Sequence, residues 1–129
     1  MLIAFRANLF DTSSDLPEGA FHGEDLAKWL EARLKGWQTR VHAEDWGWAV
    51  LAQRDQYEYI FGVYDSDTND VTENGPKWIL RLYNQKDRSN WLKKLFKYIP
   101  PTTDKEVTHE IVQLLEHADG VTNIEVESL

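Results

Sequence analysis

The chain has 129 residues, 42% of them hydrophobic and 28% charged, the size and composition of one globular domain and not of a disordered segment. It contains no cysteine, so disulfides, thiolate metal sites and thiol nucleophiles are excluded. Its net charge of −8 opposes nucleic acid and suits a basic partner.

The charge is uneven. Residues 1–75 carry −8, residues 76–98 carry +6 and residues 99–129 carry −6. Six Trp, five Tyr and five Phe favour either a β-rich core or a recognition surface. The start, Met1-Leu2-Ile3-Ala4-Phe5-Arg6, lacks the basic end and long apolar core of a signal peptide. No apolar run approaches membrane-spanning length. The expectation is a cytoplasmic protein without membrane contact, monomeric or homodimeric, with no cofactor and no metal.

In chain order, residues 2–10 predict a strand with Ile3, Phe5, Ala7 and Leu9 on a buried face. Residues 11–21 have turn chemistry. Residues 24–35 predict a helix, with Glu24 and Asp25 in the first turn, an apolar stripe of Leu26, Trp29, Leu30 and Leu34, and Gly36 as a C-terminal cap. A short strand over 38–43 follows.

Glu44 and Asp45 then lead into Trp46-Gly47-Trp48, and the strand runs on to about Gln53. On strand alternation, Trp46, Trp48, Val50 and Ala52 share one face. Two readings compete. The tryptophans anchor a core strand, or they floor a binding surface with Glu44 and Asp45 at its mouth. A turn at 54–56 precedes a strand over 57–64, with Tyr57, Tyr59, Phe61 and Val63 on one face. Residues 65–76 form the main loop. Trp78, Leu80 and Leu82 mark the next strand. Ser89 caps a helix to about Tyr98, stopped by Pro100-Pro101. A capping box, Thr103 to Glu106, opens a last helix over 104–118. Val121, Ile124 and Val126 close the chain as an edge strand with Glu125 and Glu127.

This order, β-α-β-β-β-β-α-α-β, predicts a single α+β domain over 1–129. We expect a mostly antiparallel sheet of about six strands with the helices packed on one face.

Four constellations bear on function. Asp65, Asp67 and Asn69 alternate like the opening of a calcium loop, but the sixth and twelfth positions are Asp70 and Pro76, where glycine and glutamate are required. A solvated turn explains them. His42 lies two residues from Glu44, so His42, Glu44 and Asp45 form the nearest approach to an acid/base group of a small hydrolase or metal-dependent enzyme. No nucleophile elbow, phosphate loop or dinucleotide fingerprint is present. The basic segment 77–97 interleaves lysines and arginines with aromatics, a pattern of nucleic-acid binding and equally of an ordinary amphipathic helix. Finally, a broad acidic surface studded with aromatics suits capture of a basic protein.

The residues Gly23-Glu24-Asp25-Leu26-Ala27-Lys28-Trp29-Leu30, then Gly36, the run Glu44 to Trp48 and a late Gly120-Val121-Thr122-Asn123-Ile124-Glu125 resemble small uncharacterised bacterial α+β proteins. Those carry a Leu-x-x-Trp-Leu helix and a Glu-Asp-Trp-Gly-Trp strand. The resemblance implies a bacterial, cytoplasmic protein and brings no catalytic residues. In size and acidity the chain is also similar to immunity proteins, an analogy without a shared motif.

The functional expectation is therefore a non-catalytic acidic module for a basic protein partner, of inhibitor or immunity-like type. Glu44, Asp45, Trp46 and Trp48 form its first patch, and Asp65, Asp67 and Asp70 a second.

Overall fold

The structure is a computed structural model. It describes residues 1–10, 16, 20–54, 57–65, 71–84 and 104–127. The expected helix over 89–98, the proline stop, the Ser89 and Thr103 caps and the tip of the 54–56 turn lie outside the described residues.

The fold is α+β, dominated by an antiparallel sheet. Its strands are β1 (Leu2–Ala7), β2 (Gln38–Glu44), β3 (Gly47–Arg54), β4 (Tyr57–Asp65), β5 (Val71–Thr72), β6 (Gly75–Asn84) and β7 (Val121–Glu127). Two helices are described, α1 (Glu24–Arg33) and α2 (Asp104–Glu116). Strands β2, β3 and β4 form a meander, and the full order is β2-β3-β4-β6-β1-β7, with β5 paired to β6.

Burial explains the order. Strand β1 buries Ile3, Phe5 and Ala7 on one face and Ala4 on the other, so it suits an interior position. Strand β7 carries a glutamate at alternate positions and lies at an edge.

One sheet face builds the core. Phe5 is paired with Trp78, Ile3 and Val63 with Leu80, and Phe61 with Leu82 and Val50. All of these side chains are buried. Leu26, Ala27 and Leu30 of α1 join the same cluster, as do Val107, Ile111 and Leu115 of α2. Leu26 and Leu30, and Val107, Ile111 and Leu115, repeat every four residues, with Ala27 three before Leu30, which keeps each set on one side of its helix. Helix α1 lies against β2 and β3, and α2 against β6 and β7.

The first strand is shorter than its sequence pattern suggests. The chain bends after Ala7, so Leu9 is exposed and Phe10 is buried instead. Phe10 sits edge-to-face with both Trp29 and Trp78, each at 5.9 Å between ring centroids. An aromatic wedge between helix and sheet outweighs continued strand alternation here. Asn8 donates its side-chain amide to the Glu73 carbonyl, fastening this bend to the β5–β6 turn.

No helix among the described residues is long and apolar enough to cross a membrane.

Candidate functional site at the turn between β2 and β3

Strands β2 and β3 pair without interruption from Gln38–Gln53 to Glu44–Gly47. The turn residues are therefore Asp45 and Trp46. Gly47 has φ +156, and a Cβ placed on it would lie 2.6 Å from the Val63 carbonyl oxygen. The neighbouring strand comes so close that only glycine fits.

This turn separates the two tryptophans. Because Trp46 belongs to the turn and not to the strand, alternation starts only at Gly47, and Trp46 and Trp48 do not share a face. Trp48 turns to the core side, where its Cδ1 would lie 3.5 Å from a Cβ on Gly23. Its indole N–H donates to the Phe21 carbonyl at 2.8 Å. Trp46 lies over the opposite face. Its six-membered ring covers Gly62, and its centroid stands 6.2 Å from that of Tyr64 at an 84° interplanar angle. Trp48 is half-buried on the core side, and Trp46 is 39% exposed on the other.

Glu44 and Asp45 are exposed beside Trp46. Asp65 ends β4, half-buried and in register with Trp78. Asp67 and Asp70 lie outside the described residues. The same end of the sheet gathers acids the sequence reading did not connect. Helix α1 begins here, since Gly23 faces Trp48, Val63 and Trp78, and it brings the exposed Glu24 and Asp25. Glu73 arrives on the β5–β6 turn. Lys28 answers Glu24 at 2.7 Å, and that hydrogen-bonded carboxylate holds the lysine above its ordinary pKa. Phe21, 37% exposed, adds an apolar contact next to the α1 start.

His42 is half-buried on β2, and its Nε2 is buried without a hydrogen-bond partner among the described residues. No described hydrogen bond links it to Glu44 or Asp45. No group of three or more His, Asp or Glu side chains able to hold a metal occurs among the described residues. Of the basic segment, Lys77 and Arg81 lie on β6, and residues 85–97 lie outside the described residues. Arg81 stacks over the Tyr83 ring at 5.0 Å.

A second concavity, missed in sequence, runs between α1 and α2. It encloses about 1010 Å³ and is lined by Trp29, Arg33, Trp37, Glu110 and His117 among others. Arg33 covers Trp29 at 4.2 Å and Arg54 covers Trp37 at 3.9 Å. Arg54 also forms a two-pronged pair with Glu110 at 2.9 and 3.0 Å. Arg33 is thus committed to Trp29, whose ring it covers and whose carbonyl accepts its N–H at 3.2 Å.

Compared with family models, with curated proteins and with solved structures, the chain gives no significant match.

Proposed function

We propose that the chain is a non-catalytic module that captures a basic protein at the β2–β3 turn, as an inhibitor or an immunity-like protein would. The observation that carries this reading is the exposed Trp46 ring, seated on Gly62 beside Glu44 and Asp45. A rigidly backed indole loses little entropy on binding and offers large contact area, the usual anchor of a protein interface. The carboxylates of Glu24, Asp25, Glu44, Asp45, Asp65 and Glu73 would steer a cationic surface to it. In this reading both helices cover the face that carries Phe5, Phe61 and Trp78. The face with Gly62, Tyr64 and Tyr83 is then left to a partner. Trp48 supports the turn from below and makes no contact with the partner. A bacterial, cytoplasmic setting belongs to the same proposal.

The test is affinity capture with the wild-type chain beside W46A and an E44K/D45K double variant, followed by titration of the captured protein. The expected partner is basic, is lost in both variants and binds more weakly as salt rises. Capture of nothing, or of a protein indifferent to both variants, overturns the reading.

A further inference from the structure

The two edges of the sheet are built differently. Strand β7 is guarded. Its pairing with β1 shifts register between Ala4 and Arg6, Asn123 takes a left-handed φ of 54°, and Glu125 and Glu127 alternate along it. A bulge and alternating charge are standard protections of an open edge.

Strand β2 has no bulge and no left-handed residue, and its two charges, Arg40 and Glu44, are of opposite sign. Its seven residues pair with β3 in one unbroken register, and it contains no proline, lysine or glycine. Because Glu44 and Gly47 close the turn as a bonded pair, Arg40 and His42 also bond inward to β3. The amide groups of Thr39, Val41 and Ala43 therefore point off the sheet. Neither Arg40 nor Glu44 has an ion-pair partner among the described residues, and both are exposed.

We propose that β2 pairs with β2 of a second copy of this chain, in antiparallel register about a two-fold axis at His42. Val41 then exchanges backbone hydrogen bonds with Ala43 of the second copy. Arg40 stands directly opposite Glu44 of the second copy, and the symmetry repeats that contact. These are the non-hydrogen-bonded positions, where opposed side chains come closest. Sliding the strands to place Val41 on the axis sets Glu44 against Gln38, so the charge match selects the His42 register. The two copies share one continuous sheet.

The pairing is tested by sedimentation of the full chain between about 1 μM and about 500 μM, a range that spans the affinities of weak dimers. Wild type dimerises within it. R40E and E44R each weaken the dimer at least roughly tenfold, because each reversal places like charges opposite one another twice. The R40E/E44R double variant restores association. V41P removes an outward N–H and leaves a folded monomer with its circular dichroism unchanged. A wild type that stays monomeric throughout overturns the proposal. So do single reversals without effect, or a double reversal that fails to recover. Glu44 serves both readings, and this register sets Trp46 opposite Gln38 of the second copy, so V41P, which changes neither side chain, is the variant that separates them: it abolishes the dimer and leaves partner capture.

Discussion

The ring of Trp46 lies so close over Gly62 that a Cβ at position 62 would stand 3.0 Å from its Cη2. The same Cβ would be 3.3 Å from Cε2 of Tyr83. Position 62 is thus a socket, shaped by the absence of a side chain on β4. Gly62→Val fills it. The ring must lift, and overpacking of this kind costs about 1–3 kcal/mol. Urea unfolding followed by circular dichroism measures the loss. Trp46 fluorescence in a variant whose other tryptophans are replaced by phenylalanine reports a more solvated indole. An unchanged midpoint and unchanged emission would mean that the ring does not rest there.

Trp46 in the turn and Trp48 on β3 should respond unequally to truncation. Trp46→Ala removes a partly exposed ring that touches Tyr64 and Gly62, and the expected loss of stability is about 1 kcal/mol. Trp48→Ala opens a space beside Val63 and Gly23 and deletes the bond to the Phe21 carbonyl. Its expected cost is about 3–5 kcal/mol. Partner capture is lost in the first variant while its fold remains intact. Equal destabilisation by both would place Trp46 in the core and remove the anchor from the proposed site.

Much of the fold was legible because burial imposes simple periods. Phe5, Phe61, Val63, Trp78 and Leu80 alternate as strand positions should, and Leu26 with Leu30, and Ile111 with Leu115, repeat at helical spacing. The site was less legible. Trp46 and Trp48 look equivalent in sequence, and only the two-residue turn, forced by the approach of Val63 to Gly47, assigns them to opposite faces. The glycine between them was the available signal, since a glycine inside a strand pattern marks close backbone approach. Nothing local announced that Glu24, Asp25 and Glu73 would gather at the same end. That depends on where α1 crosses the sheet and on the β5–β6 turn, which are long-range matters.

Arg54 joins β3 to α2 through Glu110, with side-chain exposures of 25% and 43%. Such partial exposure lets water and salt screen the pair, so its worth is modest despite the two-pronged geometry. A double-mutant cycle with Arg54→Ala and Glu110→Ala should give a coupling of about 0.5–1 kcal/mol, smaller at 1 M salt. Arg54→Ala alone should cost more than Glu110→Ala, because it also uncovers the Trp37 ring that the guanidinium covers. The reverse ranking, from thermal unfolding of the two single variants, would make the ion pair the dominant contact.

His42 presents the opposite case, a polar atom without a partner among the described residues. Its Nε2 is buried with no hydrogen-bond partner among the described residues. Its cross-strand neighbour is Ala49, which is 1% exposed. An unmet hydrogen bond of this kind costs about 1–3 kcal/mol relative to an apolar group of the same shape. Replacing the imidazole by leucine keeps most of the volume and removes the cost. His42→Leu should therefore raise the unfolding free energy by about 0.5–1 kcal/mol, read from the urea midpoint at constant slope. An acid/base role for His42 with Glu44 and Asp45 would require a hydrogen-bonded imidazole, and then the same variant destabilises. The sign of one measured difference thus separates a mispaired histidine on a sheet from a functional one.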